Sequence, residues 1–249
     1  MDSRLRVFLI GIALVLSTQN LSFAEEDTAE NASNPLAAVN NTDIRIKTFD
    51  LGEADRNEIY LDGAVMLNPK VKLKYEAHYW DTDISGRDEQ DWESASAKLL
   101  YFPKEGKLKS SLPYRLTVGL EWIVDLGDQE KGIGTGSDQI APLAGIAIAY
   151  KPGLMLIPLL QHFESYSGNN VSQTASRLIA LQVLSNDKWF KTDLKIPYDW
   201  ENNSWPASLE LQYGKSFTPR LGVYIDLQGG IGADRLYDYA MGVGLRVNY

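Results

Sequence analysis

The chain holds only two histidines, and each stands beside groups that could make it a base or a ligand. His162 lies in Leu160-Gln161-His162-Phe163-Glu164-Ser165-Tyr166-Ser167-Gly168, an imidazole with serine hydroxyls close by. Nucleophilic hydrolysis requires the hydroxyl within hydrogen-bond reach of the base. On an extended strand the residue sharing the face of His162 is two positions on, which is Glu164, while Ser165 points to the opposite face. No catalytic residue is assigned, and the chain is not expected to be an enzyme. His78 closes the run Lys72-x-Lys74-x-Glu76-x-His78, with no second His at ligand spacing and no Cys in the chain. Neither a metal centre nor a cofactor is expected. The glycine-rich stretch from Gly132 to Asp138 lacks the Gly-Lys-Ser/Thr ending of a phosphate loop and reads as a flexible outer connection.

The other chemistry-bearing side chains are charges at alternate positions. Lys72, Lys74, Glu76 and His78 alternate with Val71, Leu73, Tyr75, Ala77 and Tyr79. Arg115, Glu121 and Asp125 share one face, opposite Tyr114, Leu116, Val118, Leu120, Trp122 and Val124. Lys191, Asp193, Lys195 and Asp199 alternate with Phe190, Leu194, Ile196, Tyr198 and Trp200. Glu210, Asp226 and Arg246 each sit between apolar neighbours. A period of two is that of an extended strand with unlike faces. Charges of both signs on the inward faces, Lys98 among them, predict a polar lumen. Two uses remain open: an ion-pair network that fills the interior, or a lined path for a small solute.

The strand that ends the chain sets the class of the elements carrying these charges. Tyr237, Tyr239, Met241, Val243, Leu245, Val247 and Tyr249 form an unbroken apolar face that ends on an aromatic. Such a face suits the closing strand of a transmembrane barrel, with Tyr239, Val243, Leu245, Val247 and Tyr249 as the C-terminal barrel signal. The expected fold is all-β, a transmembrane antiparallel β-barrel of about 12 strands, with about 10 or 14 as alternatives, each strand about ten residues long. Short turns at Asn68-Pro69-Lys70, Lys151-Pro152-Gly153, Ser185 to Lys188 and Thr218-Pro219-Arg220 mark the periplasmic side. Longer polar loops, Asp81 to Asp91, Gly127 to Asp138, Ser167 to Thr174 and Glu201 to Ser204, mark the outside, where the first two are expected to constrict the mouth. The connection from Pro103 to Pro113 is long where parity predicts a short turn. Aromatics near segment ends, among them Trp80, Tyr101, Phe102, Trp122, Tyr150, Trp189, Phe190, Trp200, Trp205, Tyr213 and Phe217, are expected to form girdles at the two interfaces.

At the N-terminus, Arg4 and Arg6 precede an apolar run from Val7 to Val15 and a small-residue site at Ser22-Phe23-Ala24. This predicts a signal peptide over 1–24, since the run is shorter than the roughly 20 residues a helix needs to span a bilayer. Residues 25–41 read as a disordered periplasmic lead-in and 42–249 as the barrel. A net charge of −9 argues against a nucleic-acid partner. The expected location is the outer membrane of a Gram-negative bacterium. Outer-membrane lipid and lipopolysaccharide, the barrel assembly machinery and an unidentified small-molecule solute are the expected partners.

Between Ile157 and the C-terminus, Pro158-Leu159-Leu160-Gln161, Gly168-Asn169-Asn170, Trp189-Phe190, Asp199-Trp200-Glu201, Trp205-Pro206-Ala207 and Gly214-Lys215 resemble a bacterial outer-membrane family of transporters for the meta-pathway of phenol degradation. The resemblance covers a little under half of the chain. It implies a barrel acting as a passive or gated channel for small, in some cases aromatic, molecules, and it carries no site residues. The alternative is a closed structural or adhesive barrel whose outer loops bind a partner, and lipid hydrolysis is the remaining reading.

Overall fold

The alternating segments form antiparallel strands in a computed structural model that describes residues 32–108, 111–184 and 187–249. The expected signal peptide lies outside the described residues. The strands are β1 (Asn41–Asp50), β2 (Asp55–Asn68), β3 (Val71–Thr82), β4 (Glu89–Tyr101), a short β5 (Glu105–Lys107), β6 (Pro113–Asp125), β7 (Ser137–Lys151), β8 (Leu154–Gly168), β9 (Ser172–Leu184), β10 (Lys188–Asp199), β11 (Ala207–Thr218), β12 (Leu221–Ile231) and β13 (Tyr239–Asn248). Each long strand pairs with its chain neighbours, β4 reaches past β5 to pair with β6, and β13 returns to β1 from Asn41↔Asn248 to Asp50↔Tyr239. The result is a closed barrel of 12 long strands. Closure leaves no edge, which is the condition for a sheet to sit in hydrocarbon. The long connection after β4 is explained by β5, which pairs Glu105↔Arg115 through Lys107↔Pro113 and adds a small hairpin to the start of β6.

Alternation separates two surfaces. Ile44, Ile46, Leu99, Val118, Leu178, Ile225, Met241, Val243 and Leu245 are exposed on the outside. An apolar band of this kind is costly in water and suited to lipid. Exposed aromatics flank it: Tyr101, Tyr150, Phe190 and Phe217 near the turn ends, and Trp122, Trp200, Trp205 and Tyr239 near the loop ends. Three of the expected girdle residues instead face inward. Trp80 stacks on Arg56 (4.2 Å), Phe102 is buried beside Leu36 and Leu100, and Trp189 is 1 % exposed. Position near a strand end does not decide the face; parity and a small neighbour do. Trp189 lies flat across Gly214, where any Cβ would overlap its ring, and Tyr224 lies likewise across Gly244. The two glycines are the slots that let large rings line the wall.

Residues 32–40, expected to be part of a disordered lead-in, instead fold back into the lumen at the turn end of the barrel. Leu36 is 2 % exposed and Ala37 1 %. Their order comes from contacts far along the chain, which local composition does not show.

Candidate functional site

The lumen has two unlike walls. β1, β2, β3, β10, β11, β12 and β13 supply most of the charge, because their inward positions carry Asp, Glu, Lys and Arg at every second residue. Arg246 binds both carboxylate oxygens of Asp43, at 2.6 Å from Nη2 and 3.0 Å from Nε, and Tyr224 donates its hydroxyl to the same carboxylate at 2.8 Å. Arg45 pairs with Asp62 at 2.6 Å. Lys47 and Lys191 converge on Glu210 at 3.1 and 2.6 Å. His78 bridges Glu58 and Glu76, and Arg177 grips Asp193 through two guanidinium nitrogens. Burying charge is tolerable only when it is paired in this manner.

The facing wall is apolar toward the turn end. Leu100 and Phe102 at the end of β4, Leu143 and Ala147 on β7, Met155, Ile157 and Leu159 on β8 and Ile179 on β9 form one cluster, and Leu36 sits in it. The segment around Leu36 matches both walls. Ser33 donates to Gln212 (3.1 Å) and accepts from Arg246 (2.7 Å). The Ala37 carbonyl accepts from Lys72 (2.7 Å), and the Leu36 carbonyl from Arg115 (3.3 Å). Burying the Leu36 side chain is worth about 1.5–3 kcal/mol, and each hydrogen bond to a charged donor adds about 1.5–3 kcal/mol before ordering entropy is subtracted.

Above this plug lies a cavity of about 440 Å³, floored by Ala32, Ser33, Pro35 and Leu36. A second cavity of about 230 Å³ lies toward the outside, with Leu236 and Tyr237 of the β12–β13 loop in its wall. The two share Arg177, Lys195 and Glu210, which stand at the border between them.

Of the lumen candidates read from parity, Lys72, Lys74, Glu76, His78, Glu121, Lys191, Lys195, Glu210 and Arg246 line the larger cavity together with Lys98. Asp193 lines the smaller one. Asp226 is buried behind Gln212, which donates to it at 2.8 Å, and lies 3.7 Å from Lys47. Arg115 stands at the turn end, between the Leu36 carbonyl and Glu105. Asp125 and Asp199 do not line either cavity. Asp125 accepts from the backbone of Gly127, Thr135 and Gly136, and Asp199 from the backbone of Glu201 and Asn202, so both cap outer loops. Each sits on the predicted face but at the last position of its strand, where the chain turns away from the lumen. Parity reading passed over Asp43, Arg45, Lys47, Glu58, Tyr60, Asp62 and Arg177. The alternation of Thr42, Ile44 and Ile46 with Asp43, Arg45 and Lys47 is the signal that marks the first three.

The two outer loops expected to narrow the mouth pack on each other at the rim. Gly132 abuts Ile84, Ile133 is fully buried, and Lys131 donates to Asp91 at 2.7 Å, which holds its ammonium above the ordinary lysine range. Neither loop lines either cavity. On the outer face of β8, His162 meets Thr174 Oγ1 at 2.9 Å and Glu164 at 3.3 Å, while Ser165 Oγ accepts from Val171 N–H at 3.0 Å. The nearby serine is thus engaged by a loop rather than by the imidazole.

These features define a transmembrane β-barrel with a charged lumen into one end of which residues 32–40 pack. Among solved structures the chain is similar to an outer membrane channel from Pseudomonas putida F1 (TM-score 0.64, 9 % identity, 91 % of this chain and 100 % of that one). It is also similar to the NanC porin (TM-score 0.61, 10 % identity, 84 % and 98 %) and to outer membrane phospholipase A from Escherichia coli (TM-score 0.52, 14 % identity, 84 % and 92 %). At such identities the likeness shows the barrel fold alone. No protein-family model matches the chain, and no curated protein matches it significantly.

Proposed function

We propose that this protein is an outer-membrane channel through which small solutes, aromatic ones among them, pass passively, with residues 32–40 as a gate at the periplasmic mouth. The observation that carries the reading is the pair of adjoining, charge-lined cavities, the outer one walled by the β12–β13 loop and the inner one floored by that segment. Solved barrels of similar fold that are described as channels and porins support it. On this reading the apolar outer band meets outer-membrane lipid and lipopolysaccharide, and β13 is the segment presented to the barrel assembly machinery. Liposome swelling with the refolded protein and a graded set of sugars, amino acids and phenolic acids tests it. Swelling that falls with solute size, in the wild-type chain or once the plug is weakened by Leu36→Asp, supports a pore; no swelling from either chain beside intact heat-modifiable migration refutes it.

A second reading has an observation of its own. The seated plug and the nearly complete pairing of lumen charges also suit a closed structural barrel whose loops engage a partner. It predicts no swelling even after the plug is weakened. Lipid hydrolysis draws on the phospholipase likeness alone, and lack of turnover on phospholipid and lipopolysaccharide removes it.

A further inference from the structure

Like charges placed directly opposite each other across a strand pair are destabilising, yet the lumen holds two basic pairs in that register. Lys74 faces Lys98 across β3 and β4, and Arg177 faces Lys195 across β9 and β10. All four line the larger cavity. Acidic residues are opposed too, as Asp193 and Glu210 are, but cations hold each of them: Arg177 holds Asp193, and Lys191 and Lys47 hold Glu210. Three of the four bases are also held. Lys98 lies 2.9 Å from Glu121, Lys74 3.6 Å from Glu76, and Arg177 on Asp193.

Lys195 differs. Among the described residues no carboxylate stands within ion-pair distance of its ammonium, and its neighbour is the Phe163 ring at 5.8 Å. Glu121 on the same cavity is already engaged by Lys98, Gln161 (2.6 Å) and Ser96 (3.1 Å). An ammonium carries three donors, and a charge held in a lumen without a partner is costly. Its place gives the cost a use, because Arg177 and Lys195 line both cavities, beside a Glu210 already held by Lys47 and Lys191, and so stand at the border that a solute crossing the lumen must pass. Basic side chains at a constriction favour anions there. Beside them the wall is apolar, with Leu159 opposite Arg177 in register and Phe163 further along β8. Departures from local pairing rules of this sort are expected where a function needs them.

We propose that Lys195, flanked by Arg177 and Phe163, is a binding step for organic anions. A carboxylate head takes the donors of Lys195, and an apolar body lies against Phe163 and Leu159. The inference rests on the channel reading and names the class of solute for it.

The test uses the full mature chain, refolded, with benzoate as the probe and benzyl alcohol and acetate as controls. In planar bilayers under a potassium chloride gradient, the reversal potential shows anion preference, and benzoate lowers the chloride current more than benzyl alcohol does. By calorimetric titration of the barrel in detergent, benzoate binds more tightly than acetate, and Lys195→Gln weakens benzoate about tenfold, while Lys195→Arg retains it. Phe163→Leu brings benzoate down toward acetate and carries the test should Lys195→Gln lose heat-modifiable migration. Benzoate and benzyl alcohol acting alike, or unchanged benzoate affinity in folded Lys195→Gln, overturns the proposal. Absence of conductance in both this chain and Leu36→Asp refutes the channel reading by itself, and the titration then judges the anion site separately.

Discussion

The two walls of the lumen are built from the same alternation yet obey different rules. On the β10–β3 side the inward positions are charged, and stability requires partners for the buried charges, as Asp43 finds in Arg246 and Glu210 in Lys191, with Lys195 at the border of the two cavities the exception. On the β7–β9 side, toward the turn end, the inward positions are Leu143, Ala147, Ile157, Leu159 and Ile179, which need only a surface to bury against, and Leu36 supplies one. A lumen with charge all round would have to be filled by water or ions, whereas an apolar patch at one end can be closed by a single leucine. The difference explains why the plug is seated at the turn end and the open volume lies above it.

The largest effect expected on this comparison comes from breaking a charged partnership. Asp43→Ala leaves Arg246 buried without its carboxylate and costs about 3–5 kcal/mol, read as a lower urea midpoint for unfolding from lipid vesicles. Removing packing on the other wall costs somewhat less. Leu36→Ala destabilises the plugged state by about 2–4 kcal/mol and, unlike Asp43→Ala, raises conductance without lowering the unfolding midpoint of the strands to the same degree. Gly214→Ala forces Trp189 off the wall and costs about 1–3 kcal/mol, visible as a change in tryptophan fluorescence. The smallest effect is at the rim, where Arg235→Ala breaks the exposed pair with Asp238 and shifts stability by less than about 1 kcal/mol, fading as salt is raised.

The charged wall was largely legible in the sequence and the plug was not. Lys72 through His78 and Lys191 through Lys195 announce their face because period-two patterning is local, and the apolar face of Tyr239 to Tyr249 announces the closing strand. β9 hides Arg177, since Ala175, Leu178, Ile179 and Leu181 spread apolar residues over both parities. Asp125 and Asp199 have the right parity, but a strand's last residue belongs to the loop that follows. Residues 32–40 are short, mix small apolar residues with Ser33, Asn34 and Asn40 in no period, and are broken by Pro35. Their order is imposed by Gln212 and Arg246, and nothing within the segment itself records those partners. For the same reason Trp189 reads as a girdle residue until Gly214 is seen beside it.

The central claim, that residues 32–40 close a conducting barrel, is tested most directly by single-channel recording of the wild-type chain beside Leu36→Asp. A carboxylate cannot stay in the apolar cluster of Leu100, Ile157 and Ile179, so Leu36→Asp is predicted to raise the mean conductance several-fold while the barrel keeps its heat-modifiable migration. Equal conductance in the two proteins, or none in either, contradicts the account.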